Sequence, residues 1–399
     1  MTAPTQRLNL QRELSGAVAD LGVLVPIAVA LIVKNGLSAT AVLLPAGLLY
    51  VVVALVYRLP IAVQPLKAVG AIAIAKGLGA DEIAAAALML GGVFVVLGGT
   101  GLIDHLGRAF PRALIRGVQL TVGLLFLKVA WKLVSDPPSS FESNALAPEW
   151  AVPLGVAVVV LALLFRRKPI ALALVTTGVV VMLVESGGIP SFGPSALEFP
   201  SLSTATFAAA FTALVIPQLP LTFANSCLAP VDAARTYFGE RAQSVRPGRL
   251  ALTLGTANVF SGAIAGMPVC HGAGGLTAHY AFGVRTGRAP LAMGSALLVV
   301  AVTVGSGLAA LLTAFPLPIL AGLLATAGLL HIALLRDLRG GREWATAVII
   351  GTVGFGWNLA IALALGLILW WVPELVGRIR SRPWASRSFL RSPRESSGS

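Results

Sequence analysis

Residues 59–70 read LPIAVQPLKAVG, and residues 267–276 read MPVCHGAGGL. Each stretch interrupts strongly apolar sequence in the same order. An apolar residue, a proline and a β-branched residue come first, and polar or glycine positions then lead into a helix. Pro60 and Pro268 lie 208 positions apart in a chain of 399 residues. Paired, interrupted hydrophobic segments in corresponding halves are typical of the substrate site of a secondary transporter.

The composition predicts a membrane protein. Hydrophobic residues make up 57% of the chain and charged residues 11%, whereas a soluble domain carries roughly 25% charged residues. Two cysteines are too few for a disulfide framework. An apolar run long enough to span follows the polar first fourteen residues, so no cleavable signal peptide is expected. We expect an all-α polytopic membrane protein.

Fourteen apolar segments are bounded by charges, proline or glycine. The third segment of each seven is interrupted, and each is expected to form a short strand followed by a half-helix. Because seven is odd, the second seven must enter the membrane inverted relative to the first. The predicted segments are 15–33, 37–57, 60–76, 82–102, 113–134, 150–165, 169–185, 204–226, 250–265, 268–283, 289–313, 317–335, 343–355 and 357–373.

The basic residues support this count. With the N-terminus inside, 24 of the 29 Lys and Arg residues fall in inside stretches, four fall outside, and Lys67 falls within a segment. The net charge of +13 is therefore explained by topology, with a share for anionic lipids, and no nucleic-acid partner is expected. The predicted organisation is a cytoplasmic tail at 1–14, inverted repeats at 15–185 and 204–373 joined by an extracytoplasmic connection at 186–203, and a basic disordered cytoplasmic tail at 374–399.

Lys67 is a charge within the third segment. A lysine at the centre of a membrane helix costs about 2.5–3.5 kcal/mol on insertion scales, so it needs a partner or a role. Together with Gln64 it stands at the predicted start of a half-helix, where free N–H groups and the positive end of the helix dipole favour an anion. The alternative is a structural lysine that pairs with Asp20 or snorkels to an interface.

The second interruption contains no lysine or arginine, and it offers backbone N–H groups to an anion instead. Small residues at Gly272, Ala273, Gly274 and Gly275 allow an oxyanion to approach backbone N–H groups closely, although small residues also serve tight helix packing. His271 precedes them and is either a proton relay or a structural hydrogen-bond donor.

Two further spans carry polar groups. Asp20 in the first segment is either a proton-coupling site or the counter-ion of Lys67. In the eighth segment Gln218, Thr222 and Asn225 are spaced for one helical face. These three side chains either line a ligand site or form interhelical hydrogen bonds.

The sequence motifs at 19–22, 63–68, 217–222 and 267–287 resemble those of the molybdate transporters related to the sulfate permeases. The likeness extends over about residues 10–375. It implies the inverted seven-plus-seven fold of the uracil-permease and sulfate-permease type, with a core and a gate domain that move past each other. It also implies a site between the third and tenth segments and uptake of molybdate with protons by a symporter.

The expected partners are molybdate, or sulfate or tungstate, together with protons and the lipid bilayer. The oligomeric state stays open between a monomer and a homodimer. No cofactor, metal or catalytic residue is expected. The short loops and the Ala/Gly bias favour a bacterial inner membrane with both termini cytoplasmic.

Three other functions compete with molybdate uptake. Sulfate and other tetrahedral oxyanions share the charge and shape of molybdate. An anion channel would use the same residues, and a reversal potential that shifts with pH separates it from a proton-coupled transporter. A membrane enzyme acting on a phosphorylated lipid is the weakest alternative, since the chain lacks acid clusters to hold Mg²⁺.

Overall fold

The computed structural model describes residues 13, 21–106, 110–137, 141, 145–165, 170–186, 191–281 and 283–380. The described part is mostly helical, and each predicted apolar segment contains a helix. The elements of the first half are α1 (Leu21–Val33), α2 (Ala39–Tyr57), β1 (Ala62–Pro65), α3 (Lys67–Lys76), α4 (Ala80–Gly99), α5 (Leu102–Leu106), α6 (Arg112–Ser135), α7 (Pro148–Leu164) and α8 (Ile170–Glu185).

The second half begins with a long helix interrupted by two π-helical segments, and it contains the second strand. Its elements are α9 (Thr204–Ala210), α10 (Ile216–Thr222), α11 (Ala229–Phe238), α12 (Pro247–Ala263), β2 (Val269–Gly272), α13 (Ala273–Ala281), α14 (Arg288–Thr303), α15 (Gly305–Leu312), α16 (Leu317–Ala333), α17 (Gly341–Gly356) and α18 (Leu359–Arg380).

By length and composition, five helices among the described residues are able to cross a membrane, or six if α14 and α15 form one span. Several other apolar helices are shorter. The predicted helical membrane protein is therefore found, and the two interrupted segments are a strand followed by a short helix, as expected.

The eighth segment is longer than expected, since its helix continues from Thr204 to Ala242. π-Helical turns at Phe211–Val215 and Phe223–Leu228 flank α10. Prolines at 217, 220 and 230 lack the N–H that an α-helix needs. The wider turns beside them keep the helix continuous, and such turns are frequent at functional sites.

The eleventh segment is not one helix, because α14 and α15 meet at 96°. The segment that connects the two halves of the chain supplies hydrogen-bond partners for two backbone groups at this bend. The Gly193 N–H donates to the Thr303 carbonyl (2.8 Å), and the Ser306 N–H donates to the Gly193 carbonyl (2.9 Å). These two groups are thereby satisfied outside the helix ladder.

The predicted start of the disordered tail at residue 374 is too early, because α18 continues to Arg380. Two contacts from α17 hold its predicted end. The Arg342 side chain donates to the Trp370 carbonyl and lies 3.9 Å from the Glu374 carboxylate. Proline at 373 does not end the helix.

The closest helix pairs join the two halves of the chain. α4 packs along α12, α2 along α14 and α6 along α16. Glycines allow this approach. A Cβ on Gly91 would lie 2.9 Å from the Gly255 carbonyl, and one on Gly294 would lie 2.7 Å from the Gly47 carbonyl. β1 and β2 are buried, with β1 in contact with α2 and β2 in contact with α12.

Candidate functional site

The two interrupted segments meet as an antiparallel strand pair. Ala62 pairs with Gly272 and Pro65 with Val269, and the ladder is extended by the Leu66 N–H, which donates to the Pro268 carbonyl (2.9 Å). Each strand leads directly into a helix. The N-termini of α3 and α13 therefore lie at opposite ends of the ladder. This pairing brings together residues separated by half the chain.

Lys67 is the first residue of α3 and is only 3% exposed. Its Nζ has no hydrogen-bond partner among the residues that the structure describes. A buried ammonium group without a partner is strongly disfavoured, and an anionic ligand would relieve that cost. Asp20, the predicted alternative partner, lies outside the described residues.

Gln218 reaches across from α10 to cap α3. Its Oε1 accepts hydrogen bonds from the N–H groups of Ala68 (2.8 Å) and Val69 (3.1 Å). Its Nε2 donates to Thr222 Oγ1 (2.9 Å), and both side chains are buried. An amide oxygen thus occupies two of the helix N–H groups that sequence analysis left free for an anion.

Asn225 lies in the second π-helical turn and is 2% exposed. Its Oδ1 has no hydrogen-bond partner within the described part of the chain. The expected spacing of Gln218, Thr222 and Asn225 assumed an α-helix throughout. The π turn begins at Phe223 and alters the direction of Asn225 relative to the other two.

The glycine-rich start of α13 is closely covered by side chains. A Cβ on Gly272 would lie 2.3 Å from Gln64 Oε1, so the Gln64 amide lies against this backbone. A Cβ on Gly274 would lie 2.7 Å from Cε1 of His331 on α16. Ala273 and Gly275 are buried. A side chain at Gly272 would therefore displace the end of the Gln64 side chain, and one at Gly274 would displace the His331 ring.

His271 lies on the opposite side of its strand from this contact. Its Nε2 is 2.7 Å from Thr253 Oγ1 on α12, and Thr253 Oγ1 is 3.0 Å from the Tyr57 hydroxyl on α2. The Nδ1 of His271 has no hydrogen-bond partner among described atoms. A chain of three hydrogen-bonding side chains thus runs from the end of α2 to β2.

Asn258 is a residue beside the strand pair that no sequence pattern indicated. Asn258 on α12 donates from Nδ2 to the Val269 carbonyl (2.7 Å) and accepts at Oδ1 from the Val269 N–H (2.8 Å). Its amide acts as one more hydrogen-bonding unit of the sheet. A polar amide within an apolar helix was the signal available, but nothing local indicates its partner.

No three His, Cys, Asp or Glu side chains converge on a metal-binding arrangement in the described ranges. The site is thus one lysine, several uncharged polar groups and two helix ends.

The family described as molybdate transporter of MFS superfamily matches residues 12–126 and 210–330, more than half of the chain. The chain belongs to this family. The resemblance inferred from the sequence words is thereby confirmed, and the protein is an integral membrane protein of a transporter family. Both interrupted segments and Gln218 fall within the matched ranges.

Named relatives match over most of their length. Molybdate transporter 1 of Arabidopsis thaliana is 29% identical, with 93% of this chain and 90% of the relative covered. Molybdate transporter 2 of the same plant is 28% identical, with 92% and 88% covered. Molybdate transporter 1 of Chlamydomonas reinhardtii is 26% identical, with 84% and 86% covered.

Solved structures establish the type of fold. The transmembrane domain of the cyanobacterial bicarbonate transporter BicA superposes with a TM-score of 0.62 at 20% identity, covering 91% of this chain and 98% of that domain. The murine anion transporter Slc26a9 in its inward-facing state gives 0.66 at 15% identity, covering 94% and 69%. This chain thus has the fold of these two transporters.

Proposed function

We propose that the protein takes up molybdate across a membrane by alternating access. The observation that carries the proposal is Lys67, a buried ammonium group without a partner in the described structure, placed at a helix N-terminus beside the paired strands. The named molybdate transporters that match most of this chain support this substrate.

The chemistry of the site suits a tetrahedral dianion. Lys67 supplies one fixed charge, and the two helix ends add partial positive charge. Uncharged groups then orient the remaining oxygen atoms without adding a second full charge, which favours release. The proposed substrate-binding set is Gln64, Lys67, Gln218, Thr222, Asn225, Gly272, Ala273, Gly274 and Gly275.

In this proposal Gln218 has two states. In the described structure its amide oxygen satisfies the N–H groups of Ala68 and Val69. A substrate oxygen bound by Lys67 would compete for these same donors, and the Gln218 amide would turn to offer its Nε2. Gln218 then keeps the helix end satisfied when substrate is absent, when two buried N–H groups would otherwise lack partners.

The fold proposed is the inverted seven-plus-seven arrangement. Such an inversion relates the second segment (α2) to the ninth (α12) and the fourth (α4) to the eleventh (α14). A contact between α2 and α14 therefore requires an equivalent contact between α12 and α4, and both contacts are present. The antiparallel course of β1 and β2 has the same symmetry. Cysteine labelling at single exposed loop positions from either side tests this topology and the proposed cytoplasmic location of both termini, and matching labelling of successive loops would contradict it.

We further propose proton coupling, through His271 or Asp20. The Nδ1 of His271 lies behind the strand pair without a partner in the described structure, and Thr253 fixes the other nitrogen. A proton taken up together with the dianion would offset part of its charge. Uptake that rises at acidic pH and loses this rise in His271→Gln would support His271, and an unchanged pH profile would leave Asp20 as the coupling residue.

Sulfate is the second candidate substrate, because sulfate and molybdate are both tetrahedral dianions. The fold shared with Slc26a9 and BicA is compatible with several anions. Direct binding of molybdate, tungstate and sulfate to purified protein separates the candidates. Tighter binding of sulfate than of molybdate would overturn the molybdate assignment. A bacterial inner membrane is the proposed location.

The decisive test is uptake of radiolabelled molybdate into vesicles containing the Lys67→Ala variant. We expect uptake to fall about tenfold or more, because the site loses its one full positive charge. Lys76→Ala is the matched control, since Lys76 is an exposed lysine at the other end of α3. Uptake that persists in Lys67→Ala, with the variant still folded, would show that Lys67 does not bind the anion.

A further inference from the structure

A groove of about 520 Å³ opens beside the end of α2. Residues 55–59 form one wall, and Arg241 and Ser244 form the other. The first wall exists because the chain reverses sharply. Arg58 adopts a left-handed conformation (φ 55°), and its carbonyl accepts a hydrogen bond from the Gly287 N–H (3.1 Å).

The groove carries two positive charges and no carboxylate among its lining residues. The Arg58 side chain is exposed and makes no hydrogen bond or ion pair in the described structure. Arg241 is held in place by a hydrogen bond to the Arg285 carbonyl (3.1 Å), which leaves most of its N–H donors free. Guanidinium groups bind phosphate oxygen atoms with paired N–H donors, and two of them line this groove.

The same groove has an apolar side. Leu55 is 63% exposed and Val56 46% exposed on α2, an apolar helix long enough to span a membrane. Apolar side chains exposed on such a helix contact hydrocarbon. The groove therefore offers phosphate-binding donors and an acyl-chain surface side by side, and a free ion would use only the first of these.

We propose that this groove binds the phosphate headgroup of an anionic phospholipid, with an acyl chain along Leu55 and Val56. Basic pockets between membrane helices on the cytoplasmic side bind such headgroups. The predicted orientation, with Arg58 and Arg241 inside, places the groove on that side. The charged residues of the groove, Arg58 and Arg241, are not among the proposed substrate-binding residues, so failure of the lipid proposal can be distinguished from failure of the transport proposal.

The test compares lipid binding to the purified full chain by native mass spectrometry. Phosphatidylglycerol, phosphatidylcholine and inorganic phosphate are the probes. We expect phosphatidylglycerol to be retained over phosphatidylcholine. We expect Arg58→Gln to weaken its binding about fivefold and the double variant Arg58→Gln/Arg241→Gln about thirtyfold. The matched control is Arg336→Gln/Arg339→Gln, which removes two exposed arginines on the same predicted side.

Three outcomes would overturn the lipid site. The first is unchanged phosphatidylglycerol binding in the double variant, and the second is an equal loss in the control, which would indicate a general charge effect. The third is displacement of phosphatidylglycerol by millimolar inorganic phosphate, which would indicate a site for free oxyanions. If the double variant does not fold, the single variant and the phosphate competition still decide the question.

Discussion

The two interrupted segments have the same shape but are held by different forces. The first helix end, at α3, carries a charge at Lys67 and is capped by a side chain from α10. The second, at α13, has no charge in its first turn, and its glycines lie against Gln64 and His331. One end therefore depends on electrostatics and hydrogen bonding, and the other depends on close packing. In the proposed site, the two helix ends would therefore contribute to anion binding in different ways.

The largest effect that would test this difference is expected from Gly272→Ala. The new methyl group would lie 2.3 Å from Gln64 Oε1, in a buried strand. The methyl group would displace the Gln64 amide, which is a proposed ligand. If this displacement costs binding about 1–3 kcal/mol, molybdate affinity falls about fivefold to 150-fold. Binding to the purified protein measures it.

Two variants check the cause of that loss. Gly92→Ala on α4 adds a methyl group where nothing lies within 4 Å, and binding should be unchanged. Shortening the opposing side chain in Gly272→Ala/Gln64→Ala should make the clash disappear, so the double variant should not bind more weakly than Gln64→Ala alone. A further loss in the double variant would mean that packing is not what limits the second helix end.

A smaller effect is expected from Gln218→Ala at the first helix end. The variant leaves the N–H groups of Ala68 and Val69 without their acceptor. We expect uptake to fall about fivefold, because the variant also loses the Nε2 donor proposed for the bound anion, and such a hydrogen bond is worth about 1 kcal/mol. Initial rates measured over a range of molybdate concentrations will show whether KM or kcat changes.

Gln218→Glu separates capping from ligand binding. The carboxylate still accepts both hydrogen bonds, yet it brings negative charge to a site for a dianion. We expect KM to rise further in Gln218→Glu than in Gln218→Ala. If Glu restores normal uptake, Gln218 acts only as a cap and not as a ligand.

The smallest effect on transport is expected from Asn258→Ala, which acts through β2. The variant removes the two hydrogen bonds to Val269 and leaves that strand edge unsatisfied, at a cost of about 1–3 kcal/mol. Thermal unfolding in detergent should show lower stability, while uptake per folded molecule changes about twofold. Asn35 provides a control amide, because it bonds to Ala73 and Leu78 at the far end of α3. A larger loss of uptake in Asn35→Ala than in Asn258→Ala would argue against β2 as the element that Asn258 supports.

Much of the helical layout followed from local sequence. Apolar length and bounding residues located helices such as α2 and α6 within a few residues. The two interruptions followed from proline and glycine, whose backbone restrictions act within a few residues. The misjudged places have non-local causes. The bend between α14 and α15 depends on Gly193, more than 100 residues earlier in the chain.

The candidate site shows the same division. Lys67 stood out from sequence because a charge in an apolar segment is costly wherever its partner lies. The cap on α3 did not, because Gln218 and Ala68 are 150 positions apart. The change of direction at Asn225 was also missed, since a π turn depends on how the helix packs and not only on its prolines.

Sequence alone therefore determined the class of protein, the order of its segments, the two interruptions and the residue types available to an anion. Hydrophobicity, charge and backbone restriction act locally, so they can be interpreted position by position. Only the tertiary structure decided which groups meet. It paired Val63 with His271, placed Gln64 against Gly272, and brought Gln218 to the helix end that Lys67 begins. These contacts depend on long-range packing. Several buried polar groups had suitable chemistry for each contact, so the sequence alone did not select among them.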